Sequence, residues 1–141
     1  MKQSKTDDLK KADFEVLSRF RVQMRRFERF SENAAHAEGI PPLQYLLLLH
    51  IKGFPGREWA NIRELAECLQ AKPHGVVALV TRCEEAQLVK RVPSATDRRQ
   101  IEVHLLARGE EVLHRLAALH RAELASLDDG AFSIPFIKPQ N

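Results

Sequence analysis

Apolar residues recur at helical intervals over most of this chain, alternate with polar ones in one short stretch, and then resume the helical interval. Leu17, Phe20, Met24, Phe27 and Phe30 form one stripe, while Arg19, Arg25, Arg26 and Arg29 take other faces, which predicts a long amphipathic first helix. Asp7 and Asp8 stand where a helix start wants acidic caps, and Gly39 followed by Pro41 and Pro42 ends the pattern. A helix from about residue 7 to about residue 37 would be roughly 45 Å long. A compact chain of this size is only about 37 Å across. The aromatic stripe therefore outruns its own core, and a second subunit is the simplest cover for it.

Pro42 suits the first turn of a second helix in which Leu43, Tyr45, Leu46, Leu47, Leu48, Leu49 and Ile51 are apolar nearly all round, so that helix is expected to be central and buried. Gly53, Pro55 and Gly56 mark a turn, after which Trp59 and Ala60 suggest a very short strand. Asn61 with Glu64 has the form of a capping box and opens a third helix with Ile62, Leu65, Ala66 and Leu69 inward. Gln70, Ala71 and Lys72 leave room only for a sharp crossing, and Pro73 fits the first position of a fourth helix. Val76, Leu79, Val80, Cys83 and Ala86 form its core face; His74, Val77, Ala78, Thr81 and Arg82 lie opposite. Residues 88–92 and 100–105 change to β character, the second run placing Ile101, Val103 and Leu105 inward and Glu102 and His104 outward. The polar segment 93–99 joins them as a hairpin.

Gly109, Glu110 and Glu111 sit in the first turn of a last helix carrying Val112, Leu113, Leu116, Leu119, Leu124 and Leu127, closed by Asp128, Asp129 and Gly130. Phe132, Ile134, Phe136 and Ile137 make the following tail apolar, either pinned to a surface or frayed. The predicted fold is mainly α with a small β-hairpin wing. A winged helix-turn-helix at 42–106 is flanked by dimerisation helices and tail at 7–38 and 107–141, within one domain over 1–141. Phe14, Leu17, Leu113, Leu116, Leu124, Phe132 and Phe136 are the candidate dimer contacts.

Length changes this picture little: 141 residues suit one domain with a respectable core. A net charge of +3 does not announce nucleic acid, but residues 71–108 hold seven Lys or Arg against four Asp or Glu, with Arg98 and Arg99 adjacent in the hairpin loop. The opening residues have no apolar segment and no run of about 18 apolar residues occurs, which predicts a cytoplasmic chain with no membrane partner. Cys68 and Cys83 form no CxxC and the histidines show no ligand spacing, so neither metal nor cofactor is expected. Without a nucleophile and base pair or a glycine-rich phosphate loop, an enzyme is not expected either.

Leu65-Ala66-Glu67, Leu69, Pro73, Val76, Leu79-Val80, Arg82, Glu84, Leu88-Val89, Arg91, Asp97-Arg98-Arg99, Val103, Leu105 and Gly109 together resemble the MarR family of bacterial transcription regulators. The likeness is close from Leu65 to Val112 and looser in the flanking helices; the Asp-Arg-Arg wing is its specific element. The resemblance implies a homodimer with interleaved first and last helices, the helix from Pro73 in a major groove and the wing reaching the adjacent minor groove. It also implies an inverted-repeat operator in double-stranded DNA, and a repressor released by a small lipophilic or anionic ligand held above the DNA-binding part. Gly75 and Ala78 depart from the family, which often has Thr or Ser and Arg there; Lys72 replaces a capping Ser, Gln87 a Gly and Leu106 a Thr. The pattern after residue 127 also does not predict the family's separate final short helix.

The candidate DNA contacts are Lys72, His74, Gly75, Val77 and Arg82 on the fourth helix and its turn, with Arg98 and Arg99 on the wing. An arginine at a wing tip can enter a narrow minor groove, for which Arg99 is favoured, while Asp97 holds the loop through hydrogen bonds. Phe20, Met24, Phe27, Tyr45, His50 and Trp59 are either plain core or the lining of a ligand cavity in which Arg21, Arg25 or His50 meets an anionic head group. Two further readings stay open: a winged-helix protein-interaction module that no longer reads DNA, and a redox sensor using Cys68 or Cys83, although Cys83 lies on the inward stripe.

Overall fold

The computed structural model describes residues 8–126. Within them the order is α1 (Lys11–Ala37), α2 (Pro42–Lys52), β1 (Trp59–Asn61), α3 (Ile62–Leu69), α4 (Pro73–Glu85), β2 (Val89–Pro93), β3 (Ile101–Leu105) and α5 (Ala107–Ser126). This is a winged helix-turn-helix between two longer helices. α2 is the hub, touching α1, α3, α4, α5 and the sheet. Leu47, Leu48 and Ile51 are wholly buried there. The expectation of burial fails at Leu43, which lies 59% exposed in the first turn.

α1 starts later than the acidic pair suggests. Lys10 is the N-cap, and the Asp13 carboxylate accepts its backbone N–H at 2.9 Å, so Asp13 rather than Asp8 meets the helix start. Asp7 lies outside the described residues. The observed helix is about 40 Å long at 1.5 Å per residue. Phe14 and Leu17 remain 53% and 47% exposed on it.

α5 corrects part of the dimer expectation. Leu113 and Leu116 are buried against the chain's own core, so neither is available to a partner; Leu119 and Leu124 are the exposed members of that helix. Helical periodicity marks an apolar face but not whose surface covers it. Phe132, Phe136, Leu127, the Asp128–Gly130 stop and the rest of the tail lie outside the described residues.

The hairpin gains a third strand from the Trp59 segment, giving an antiparallel sheet of order β1-β3-β2. Ala60 pairs with Val103 and Arg91 with the same Val103 from the other side. Val103 is buried, but the alternation does not hold to the end of β3: Ile101 is 37% exposed because it lies out toward the wing, past the helical layer. At the other end α5 enters tightly. Leu106 donates its N–H to the Leu88 carbonyl at 2.9 Å, and a Cβ on Gly109 would fall 2.1 Å from that same oxygen. Gly109 is thus required by close backbone approach.

Candidate nucleic-acid interface

The helix-turn-helix is assembled by local signals. Asn61 accepts the Glu64 N–H at 2.8 Å through its side chain, and Glu64 accepts the Asn61 N–H at 3.0 Å, so both ends of the capping box are present. Gln70 closes α3 in the left-handed conformation with φ 51°, and its backbone N–H reaches Glu67 O. Pro73 then starts α4 without a side-chain cap from Lys72. Val76, Leu79, Val80 and Cys83 are buried, which turns His74, Gly75, Val77, Ala78 and Arg82 outward. Nothing lies within 4 Å of a Cβ built on Gly75, so the poverty of that face is not imposed by packing.

The wing is closed by two short polar side chains. Ser94 Oγ accepts the Thr96 and Asp97 N–H groups at 3.3 and 3.2 Å, and Asp97 Oδ1 accepts the Arg99 N–H at 3.0 Å. Ser94 N–H to Gln100 O and Gln100 N–H to Asp97 O complete the turn. Asp97 is therefore engaged by the loop, and Arg98 and Arg99 are exposed. Ser94 escaped sequence reasoning, although a Ser three residues before an Asp in a polar loop is a turn signal.

Arg91 joins helix to wing. Its Nη1 donates to Glu84 Oε1 at 2.8 Å, its backbone N–H to Glu84 Oε2 at 3.0 Å, and its Nη2 to Thr81 Oγ1 at 2.8 Å and to Val77 O at 3.1 Å. One guanidinium on β2 thus grips the last two turns of α4 and fixes the angle between them. Three other cations are held in the same way. Arg57 pairs with Glu64 and lies 3.7 Å from the Trp59 ring centroid, Arg108 donates to Ala86 O, and Lys52 bridges Glu110 and Glu58 at 3.0 Å each. Those hydrogen bonds, first to Glu110 and then to Glu58, raise the Lys52 pKa. In contrast Lys72, His74, Arg82, Arg98 and Arg99 have no side-chain ion pair or hydrogen bond among the described residues.

The candidate ligand residues do not form one site. Tyr45 stacks on His120 at 4.7 Å, with Phe27 and Phe30 edge-on to the same imidazole at 5.8 and 5.6 Å. Trp59 belongs elsewhere, against Arg57 and His104. Met24, with Arg21 and Arg25, lines an open surface groove of about 390 Å³ on α1. Phe20, also on α1, is half-buried. Burial lowers the His50 pKa, which disfavours its cation and weakens it as an anion partner near neutral pH. His120 escapes the sequence reading: its Nδ1–H donates to Leu116 O at 2.6 Å, and its Nε2 meets Ser31 Oγ at 2.8 Å, tying α5 to α1. It continues the stripe of Val112, Leu113 and Leu116, and a histidine in an apolar register is the available signal.

Cys83 is buried and its thiol pKa is pushed up to about 12, whereas Cys68 is exposed on α3. Among the described residues no cluster of His, Cys, Asp or Glu could hold a metal, and no helix is long and apolar enough to cross a membrane.

Comparison with known proteins converges on one family. A model of the MarR family matches residues 38–100. A putative transcriptional regulatory protein for the hcr operon of Thauera aromatica is 30% identical over 96 residues, 68% of this chain and 56% of that protein. The HTH-type transcriptional repressor MdtR of Bacillus subtilis (strain 168) is 27% identical over 88 residues, 62% of this chain and 55% of that one. The matches span little more than half the length of these curated relatives. Among solved structures, AbsC, a MarR family transcriptional regulator from Streptomyces coelicolor, superposes with TM-score 0.70 at 21% identity over 93% of this chain and 84% of that one. A mutant of MepR from S. aureus, bound to an oligodeoxyribonucleotide, gives TM-score 0.63 at 18% identity over 77% of this chain and 78% of that one. At such identities the likeness is one of fold.

Proposed function

The chain belongs to the MarR family, and from that premise we propose that it is a DNA-binding transcription regulator. It acts as a homodimeric repressor on an inverted-repeat operator in the cytoplasm, and a small lipophilic or anionic ligand releases it. No catalytic step is assigned to it. The observation that carries the reading is the set of exposed cations without a partner among the described residues on the surface of the helix-turn-helix and wing: Lys72 at the N-cap of α4, Arg82 on α4, and Arg98 and Arg99 on the wing, beside a seam in which Arg91 and Arg108 are held. Such a face can place α4 in a major groove and the wing on the neighbouring minor groove. MdtR, by its name a repressor, and the MepR complex with an oligodeoxyribonucleotide support the same direction. Dimer contact falls to the exposed Phe14, Leu17, Leu119 and Leu124 and to the tail with Phe132 and Phe136.

Two recognition helices on a two-fold axis meet half-sites about one helical turn apart. If each subunit neutralises roughly four phosphates, log affinity falls with log salt at a slope near −7. Duplexes retained by the chain from a random pool, measured by titration across salt, test this; a salt-independent association removes DNA from the account. A second reading, a winged-helix protein-interaction module, is favoured by Gly75 and Ala78, which offer α4 no base-reading group. Arg99→Ala tests the DNA reading, which predicts an affinity loss of about tenfold or more with dimer and fold intact; unchanged affinity sinks the wing assignment.

A further inference from the structure

Between the start of α4 and the root of the wing lies a groove of about 350 Å³, lined by Asn61, Ile62 and Arg63, by Pro73, and by Arg99, Gln100 and Ile101. Its volume falls in the range of small-ligand clefts, roughly 300–1,000 Å³. No carboxylate lines it among the described residues, and two arginines do. Asn61 Nδ2 reaches Gln100 Oε1 at 3.4 Å across one end, linking the α3 side to the wing side. The three acids nearest in sequence are engaged elsewhere: Glu64 by Arg57 and the Asn61 N–H, Asp97 by the Arg99 N–H, and Glu102 by His104 Nε2. Neither the Arg63 nor the Arg99 side chain has an ion pair or hydrogen bond among the described residues, and Arg63 is exposed.

Resting on the DNA reading above, the location gives this groove a definite occupant. If α4 enters a major groove and the wing enters the adjacent minor groove, the sugar-phosphate strand that separates those two grooves must pass between them. The gap available is this one, with Pro73 on the α4 side and Arg99 to Ile101 on the wing side. We infer that the groove seats that DNA strand and that Arg63 binds one of its backbone phosphates, holding the duplex while Arg99 reaches past it. Arg63 is then a positioning residue for the complex. It fixes register and contributes affinity without reading bases, as phosphate-binding side chains do. The groove's charge fits a polyanion, because its charged members, Arg63 and Arg99, are both cations.

The test uses the full chain with a duplex that it has itself retained from a random 30-base-pair pool, and a scrambled duplex of equal length. Removing one phosphate-binding side chain from each subunit should make the salt slope of the dimer shallower by about 2, from near −7 to near −5. At about 0.1 M salt this corresponds to an affinity loss on the order of 50-fold, equal for the two duplexes. Arg63→Ala is expected to give this result with an unchanged melting temperature, and Arg63→Lys to restore most of the slope. An unchanged slope in Arg63→Ala overturns the assignment, as does a loss confined to the selected duplex, which would mean base reading. If the wild-type chain retains no duplex at any salt, the DNA reading itself fails, an outcome distinct from a silent Arg63.

Discussion

The seam between α4, the sheet and α5 and the outer face from Lys72 to the wing tip contain the same residue types in opposite states. In the seam, Arg91 makes hydrogen bonds to Glu84, Thr81 and Val77, Arg108 caps the Ala86 carbonyl, and Gly109 lets α5 press onto the Leu88 backbone. On the outer face Arg63, Lys72, Arg82, Arg98 and Arg99 are without such partners among the described residues. Arginine in the first region sets geometry; in the second it is available to an anion. Net charge does not separate these two regions, and pairing does, since surface charge left unpaired costs the fold little. Changes in the seam should therefore show in stability first, and changes on the outer face in binding alone.

The largest effect should come from Gly109→Ala. The added Cβ would stand 2.1 Å from the Leu88 carbonyl oxygen, which itself accepts the Leu106 N–H, so neither side can move without breaking the junction of α5 and β2. Overpacking of this kind costs about 3 kcal/mol or more. Thermal unfolding should drop by roughly 10 °C for a domain of this size. A variant that melts within a degree or two of wild type would show that the seam is looser than the geometry indicates.

Next is Arg91→Ala, the variant that joins the two regions. It removes a charge-assisted bracket from partly exposed groups, for a stability loss of about 1–2 kcal/mol. It also frees the wing from α4, so DNA affinity should fall about tenfold although Arg91 need not touch DNA. Arg91→Lys keeps the charge but not the fork that reaches Glu84 and Thr81 together, and it should recover stability only in part. Equal affinity in Arg91→Ala and wild type would separate wing angle from binding.

Some of this is legible in the sequence, and the rest is hidden for identifiable reasons. Asn61 with Glu64, Pro73, and the alternation around Val103 are local signals, and each produces the element it announces. The Arg91 bracket is hidden because its partners lie across a turn and on another element, where no spacing rule reaches. Leu113 and Leu116 mislead as dimer residues because an apolar stripe fits an intrachain core and a subunit interface equally well. Arg63 gives no sign of itself because an outward arginine beside a capping box looks like ordinary solvated surface until the wing is seen opposite. Gln87 falls between these cases. Its departure from the family's Gly is visible, and its φ of 62° supplies the reason a Gly belongs there. The left-handed conformation costs a side-chain-bearing residue about 1–2 kcal/mol, of which a Gly's greater loss of backbone freedom cancels roughly 0.5–1. Gln87→Gly should thus raise the melting temperature by about 2 °C, with no change in DNA affinity.

The smallest effects are expected at the cysteines, and they carry the same contrast between inside and outside. Cys83, buried on the core face of α4 with its thiol pushed up to about 12, is almost wholly un-ionised at pH 7. Cys68 is exposed. A thiol reagent at neutral pH should label one site per folded chain quickly and the second only on unfolding. Cys68→Ser should change stability by less than about 0.5 kcal/mol, and oxidant should not release either form from DNA. The sign for Cys83 follows from its raised pKa: the burial is compatible with full stability below the ordinary thiol pKa, and stability declines as pH rises from about 9 toward about 12, because only the unfolded chain ionises readily there. Fast labelling of both thiols at pH 7, or release by peroxide that disappears in Cys68→Ser, would move the cysteines out of the background and revive a redox role.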